Sequence, residues 1–284
     1  MMSRIVDVEN ISFSYDTSRT ILEEVTTSID AGDLITLLGP NGTGKSTLLN
    51  CISGILKPSS GRVVLDGRDI RKMTVREISR VIGYVPQNIQ NNFDYTVYEY
   101  VLMGRVAHKR VLEYPNREDR DVANEAIDTM GLGHLASRSF NRLSGGEQQQ
   151  ACIARALAQS PELIIMDEPT SALDFDNQVK VLKLAKNLSK MGYAVLMTTH
   201  NPEHALLLDS KTWMLNHDGK LSYGSSRELV NTETLSRLYS VDVRVSKLDG
   251  SRRSVCYVEN LEGPPDKGLS DSYPGDSAPT DPPM

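Results

Sequence analysis

Residues 39–46 read Gly39-Pro40-Asn41-Gly42-Thr43-Gly44-Lys45-Ser46, and no other stretch of this chain restricts its fold so tightly. Glycines at 39, 42 and 44 let the backbone curl until its N–H groups ring a phosphate. A helix starting at that ring adds the positive end of its dipole. Lys45 supplies a point charge for β- and γ-phosphates, and the Ser46 hydroxyl is a ligand for Mg²⁺. A chance match in a glycine-rich turn would lack the flanking structure. Here Leu34–Leu38 is a short continuous apolar run, as in a buried parallel strand. After Thr47, residues Leu48, Leu49, Ile52 and Ile55 are spaced to lie on one face of a predicted helix. Such a strand–loop–helix unit belongs to an α/β sheet.

The rest of the chain alternates strand and helix signals. Residues 5–15 and 21–29 read as a pair of strands, and 63–65 and 81–85 as two more. Residues 96–158 are predicted helical, with an amphipathic stretch over 118–130. Strands return at Leu163–Met166 and 194–197, and Asp218-Gly219 and Asp249-Gly250 mark two hairpin turns. The predicted organisation is an α/β domain over 1–240 with a helical insertion at about 96–158, a hairpin at 241–259, and a tail at 260–284.

That tail holds six prolines, and its five acids against one lysine supply four of the chain's six net negative charges. With few large apolar residues to bury, it is predicted to be disordered. The acidic balance argues against a broad basic surface for nucleic acid. No apolar run approaches the roughly 20 residues of a membrane span, and the N-terminus lacks a signal-peptide core. Cys51, Cys152 and Cys256 form an odd, scattered set that suits a reducing compartment. The expectation is a soluble intracellular protein.

Four apolar residues, Leu163–Met166, put Asp167 at the carboxyl end of a strand, where ligands bind in doubly wound sheets. A carboxylate there can hold the Mg²⁺ shell while its neighbour, Glu168, polarises water. Single acids often end strands; two after a buried run, in a chain with a phosphate loop, are far more specific. Leu143-Ser144-Gly145-Gly146-Glu147 opens an alanine-rich helix and makes a second anion site. Alone, Ser-Gly-Gly is more often an ordinary helix cap. One nucleotide needs only one cradle per chain, so the second implies two chains meeting head to tail. His200-Asn201-Pro202-Glu203-His204 spells a zinc-protease pattern, but Pro202 suits a helix's first turn, which leaves His200 outside it, and no third ligand suggests itself.

Taken in order, the phosphate loop, Leu-Ser-Gly-Gly-Glu at 143–147, strand-Asp-Glu at 163–168, Ser171-Ala172-Leu173-Asp174 and His200 after a strand resemble an ABC-type ATPase over about residues 5–223. The resemblance implies a P-loop NTPase core with an N-terminal antiparallel β subdomain and an inserted helical subdomain, binding ATP and Mg²⁺. It implies that Glu168 is the general base, that His200 contacts the γ-phosphate, and that Ser46, Gln87 and Asp167 surround the metal. Ser144, Gly145 and Gly146 would reach the partner chain's ATP. Tyr15 resembles the aromatic that stacks on adenine, the alternative being an exposed tyrosine at a strand end. Gln87, after Tyr84-Val85-Pro86, resembles the glutamine beside Mg²⁺ and the attacking water; on its own it reads as a polar loop residue among Asn88, Gln90, Asn91 and Asn92. Gln148-Gln149-Gln150 departs from the family, many of whose members carry an arginine after the signature.

Residues 96–105 resemble the helical-subdomain segment of ATPases serving iron(III)-siderophore, haem and cobalamin importers, and 235–243 resemble that group's C-terminal end. The implied assembly is a homodimer at the cytoplasmic face of the cell membrane on two-fold permease subunits. An extracytoplasmic solute-binding protein takes part indirectly, and nucleic acid does not. Gln87, a hinge at 88–92, and residues 96–105 with Tyr98, Tyr100 and Met103 are expected to meet the permease, the alternative being that some of these three are buried in the insertion's own core. An acidic residue at Tyr98 or Tyr100 is expected to uncouple transport in a folded subunit. The rival is a soluble ABC ATPase acting on DNA, ribosomes or cluster assembly. Such proteins usually carry a coiled coil, a zinc module or tandem ATPase domains, and this sequence shows no sign of them.

Overall fold

The computed structural model describes residues 3–15, 19–87, 94–110, 112–171, 173–250 and 253–259. The chain opens with β1 (Arg4–Ser14), β2 (Thr20–Asp30), β3 (Leu34–Leu38), α1 (Lys45–Ile52), β4 (Ser60–Leu65), β5 (Arg68–Asp69), α2 (Val75–Val81) and β6 (Ile82–Val85). Three helices follow: α3 (Val97–Leu102), α4 (Arg117–Thr129) and α5 (Gly145–Ala158). Then come β7 (Leu163–Met166), α6 (Phe175–Lys190), β8 (Ala194–Thr199), α7 (Pro202–Leu208), β9 (Lys211–Leu215) and β10 (Leu221–Ser225). Helices α8 (Ser226–Leu229) and α9 (Thr232–Tyr239) lead to a hairpin, β11 (Val243–Lys247) and β12 (Ser254–Val258). The regions read above as hinge (88–92) and tail (260–284) lie outside the described residues.

Two sheets carry the architecture. The larger runs β10-β9-β3-β8-β7-β6, parallel from β9 to β6 with β10 antiparallel at its edge. The smaller, β2-β1-β4-β5, is antiparallel throughout. Successive side chains on a strand face opposite ways. Leu163, Ile165, Ala194 and Leu196 therefore join a core with α1 and the antiparallel sheet, which contributes Val6, Ile11 and Val63. Ile164, Met166, Val195 and Met197 join another with Val101, Ile127 and Ile153 of α3, α4 and α5. Apolar material on both faces is why these strands read as unbroken apolar runs.

The three helices start where the sequence places good caps. Thr96, Asn116 and Ser144 each accept the amide of the residue three places on, and the acid there (Glu99, Asp119, Glu147) bonds back to the cap's own amide. Asp119 does more than cap. It is 2% exposed, takes a bond from Arg105 Nε at 3.1 Å and pairs with Lys109, while Arg105 also donates to the Ala158 carbonyl at 2.9 Å. This buried ionic cluster ties the segment after α3 to α4 and to the end of α5.

One expectation is corrected here. Tyr100 is not a surface residue: its ring lies 4.2 Å from that of Phe140, the Arg155 guanidinium sits 4.8 Å above it, and its hydroxyl meets Cys152 Sγ at 3.1 Å. In α3 the helical period turns Val97, Tyr100 and Val101 inward together. An acid at 100 would bury a charge and break the fold instead of uncoupling a folded subunit. Tyr98 and Met103 remain half-buried, whereas Arg105 is buried with its ionic partners. No helix among the described residues is long and apolar enough to cross a membrane.

Candidate functional site

Parallel strands end at a common edge, so the loops leaving β3, β8, β7 and β6 converge. They bring the 39–44 loop, Glu168 and Gln87 to one open cleft of about 400 Å³, whose lining includes Tyr15, Asn41, Lys45, Ser46, Gln87 and Glu168. Asp167 is buried behind Glu168, and His200 stands beside it.

The loop requires its glycines. A Cβ at Gly39 would stand 2.8 Å from Thr43 Oγ1 and 2.9 Å from the Leu215 carbonyl, and one at Gly44, where φ is +102°, only 2.5 Å from Ile21 Cγ2. The Thr43 hydroxyl closes the curl by donating to the Pro40 carbonyl at 2.9 Å. Lys45 is buried at the start of α1 and donates to the carbonyls of Gly39 (2.8 Å) and Pro40 (3.0 Å). Its ammonium also lies 3.4 Å from Glu168 Oε1.

Glu168 is the hub. Its other oxygen accepts from Gln87 Nε2 at 3.1 Å and lies 3.6 Å from His200 Nδ1. Its backbone is left-handed, φ +44°, a conformation that costs a non-glycine residue about 1–2 kcal/mol. The Thr198 hydroxyl helps to hold it there, accepting from the Glu168 amide at 2.7 Å and donating to Asp167 Oδ1 at 2.7 Å. Tyr84 OH lies 3.5 Å from the other Asp167 oxygen, and burial, with Asp167 nearby, pushes its pKa well up, so it stays a donor. Sequence reasoning missed both Thr198 and Tyr84. The available signal was a hydroxyl at the end of a strand otherwise read only as apolar.

Tyr15 is 68% exposed at the cleft wall, edge-on to Phe13 at 4.9 Å, with its hydroxyl 3.3 Å from Thr47 Oγ1. Ser144, Gly145 and Gly146 do not line this cleft. They sit at the N-terminus of α5, with Ser144 and Gly145 exposed. The Ser144 hydroxyl donates to Glu147 at 2.8 Å, and a Cβ at Gly146 would crowd Asn177 at 2.8 Å. The zinc-like pattern resolves into a helix start: Asn201 caps α7, Pro202 opens it, and His200 precedes it. His204 is buried, its Nδ1 3.0 Å from Thr199 Oγ1, and burial pushes its pKa down.

The donor set suits the expected ligands. A glycine-lined ring of amides with a buried lysine fits a polyphosphate. Hydroxyl, carboxamide and carboxylate oxygens at Ser46, Gln87 and Asp167 are the hard donors that Mg²⁺ takes.

The sequence pattern of the ABC transporter family matches residues 22–171, more than half of the chain. This chain belongs to the ABC transporter family. Like the family's other ATP-binding subunits, it is an ATPase. The iron(3+)-hydroxamate import ATP-binding protein of Bacillus subtilis (strain 168) is 33% identical over 257 residues, 90% of this chain and 95% of that one. The molybdate import ATP-binding protein of Haemophilus influenzae (strain ATCC 51907 / DSM 11121 / KW20 / Rd) is 37% identical over 239 residues, 84% of this chain and 89% of that one. Among solved structures, an inward-facing metal-chelate type ABC transporter superposes with a TM-score of 0.79 at 34% identity, covering 90% of this chain and 99% of the other. A dimeric ATP-binding cassette bound to ADP and Pi gives 0.67 at 31% identity, covering 78% of this ABC ATPase and 99% of the other chain.

Proposed function

We propose that this ABC ATPase energises a membrane importer for metal chelates, working as a head-to-tail homodimer beneath permease subunits at the cytoplasmic face. The observation that carries the dimer is the separation of two phosphate cradles. One is complete with its base and lysine; the other, at Ser144-Gly145-Gly146, lies outside that cleft. A second copy would bring its cradle to the first copy's nucleotide.

In this reading the phosphates of ATP lie over the amides of the 39–46 loop, and Tyr15 stacks on adenine. Ser46, Gln87 and Asp167 would hold Mg²⁺, which neutralises charge on the β- and γ-oxygens when bound. Lys45, now shared between loop carbonyls and Glu168, turns its charge to the phosphate. That frees the Glu168 carboxylate to take a proton from water as the water oxygen attacks the γ-phosphorus. The bond from γ-phosphorus to the β-bridging oxygen breaks, and ADP and phosphate leave. Gln87 orients the water and His200 steadies the γ-oxygens.

For the solute, we favour an iron(III)-siderophore, haem or cobalamin complex, on the strength of residues 96–105 and of the iron-hydroxamate relative. A solute-binding protein outside the membrane would act through the permease, without touching this chain. Uptake assays of the assembled transporter with ferric hydroxamate and with molybdate would separate the two solute classes named among its relatives.

Ser144→Arg and Lys45→Ala test the dimer. Each homodimer is expected to lose ATPase activity, while Ser144→Arg keeps ATP binding as a monomer. In the mixed dimer one composite site carries both lesions and the other neither, so activity should recover, up to about half of wild type if the sites work independently. A mixed dimer as inactive as its parents overturns the head-to-tail arrangement. Cysteine cross-links from Tyr98 that reach only another soluble protein would favour the soluble rival.

A further inference from the structure

We infer that Tyr239 is a positioning residue for hydrolysis, through which α9 and the C-terminal hairpin hold His200 at the catalytic cleft. The inference rests on the reading of His200 as the γ-phosphate contact. His200 follows the last residue of β8 and is more than half exposed, with Glu168 3.6 Å from its Nδ1, so its place depends largely on its backbone. The Tyr239 hydroxyl, from the end of α9, donates to the His200 carbonyl at 2.9 Å. The Tyr239 ring packs on a core built from Leu38, Ala205, Leu235, Leu238 and Val243. That core contains the last residue of β3, directly before the phosphate loop, so Tyr239 ties His200 to the element that also sets Lys45.

A second tie comes from the residues left over from the zinc-like pattern. Glu203 Oε1 accepts the Cys256 amide of β12 at 3.0 Å, and the Glu203 amide in turn donates to Asn201 Oδ1 at 3.0 Å. Inside, Thr199 Oγ1 accepts the Asn201 amide at 3.1 Å and meets His204 Nδ1 at 3.0 Å. The hairpin is itself fixed to α9: the Val245 amide donates to Thr232 Oγ1 at 3.0 Å, and Ser236 Oγ bridges the amide and carbonyl of Val243 at 3.1 Å each. The residues on either side of His200 are therefore braced from the far end of the chain. Anything that pulls the hairpin from α7 would slacken His200 without touching ATP.

The test uses the full chain and steady-state ATPase kinetics. Tyr239→Phe removes one hydroxyl and keeps the ring, so kcat should fall about 3- to 10-fold with KM for ATP unchanged, the size expected for one positioning bond. The melting midpoint should stay within about 3 °C of wild type. Glu203→Ala should show the same split between kcat and KM. In a His200→Ala background, Tyr239→Phe should lower the residual rate no further, since the two residues act in series. An unchanged kcat in Tyr239→Phe overturns the inference. So does an equal loss with and without His200, or a loss carried by KM and the melting midpoint. Full activity in His200→Ala alone would instead defeat the reading of His200 itself.

Discussion

Glu168→Gln is expected to lower ATP turnover by about 10²- to 10⁴-fold, the usual worth of a positioned general base, while leaving ATP binding intact. Glutamine keeps the length and shape of the side chain, so Gln87 and His200 still find a polar partner at 3.1 Å and 3.6 Å. It cannot take the proton from water. It also removes the negative charge 3.4 Å from Lys45, which leaves the ammonium freer for phosphate. ATP affinity should hold or rise, and the nucleotide should accumulate unhydrolysed with the dimer closed around it. Measuring ATPase rate together with ATP-dependent dimerisation checks both halves. A variant that turns over at near wild-type speed removes Glu168 from the role of base.

The second large effect concerns stability. Asp119→Ala leaves Arg105 and Lys109 buried without their shared carboxylate. Removing one partner of a buried ionic cluster costs up to about 3–5 kcal/mol, eased here by the bonds that Lys109 keeps to Glu113 and Arg105 to the Ala158 carbonyl. For a domain of this size that lowers the melting midpoint by up to roughly 10 °C. Its pH dependence follows from the same contacts. Burial works against the Asp119 charge, but bonds from Lys109, the Asn116 amide and Arg105 outweigh it and hold the pKa below the usual carboxylate range. A group depressed in the folded state stabilises above its unfolded pKa of about 4, and that contribution is lost as pH falls through the folded value. Wild type should therefore lose stability on acidification below about pH 4 more steeply than Asp119→Ala. Thermal melts of both proteins across pH 3–7 check this, and parallel pH curves would dismiss the cluster as a source of stability.

Much of the site was legible because its chemistry depends on local backbone form. Leu34–Leu38 and Leu163–Met166 coincide with β3 and β7. A parallel strand with apolar material on both faces is filled mostly by apolar residues, a buried hydroxyl such as that of Thr36 needing a partner (Ser210 Oγ at 2.8 Å), and such a run stands out in any sequence. The phosphate loop was legible for a related reason: curling the backbone back on itself without clashes leaves only glycine at 39 and 44. Where a residue's role depends on which way a helix is turned, the sequence alone misled. Tyr100 looked like interface material beside Tyr98, yet Phe140 and Cys152, some 40 and 52 positions away, enclose it.

The sequence by itself determined the P-loop α/β class, the strand that carries the phosphate loop, the acidic pair at the end of β7, and the ABC transporter family. These follow from short-range rules: glycine where φ is positive or space is lacking, apolar runs where both faces are buried, caps where helices begin. Only the tertiary structure decided which strands are neighbours, that Thr198 pins both acids, that Glu168 takes up a left-handed backbone between Lys45, Gln87 and His200, and that Tyr239 reaches the His200 carbonyl. Each of these joins residues dozens to more than a hundred positions apart. Their distance is set by sheet order and by the packing of whole elements, and no local pattern in the chain encodes it.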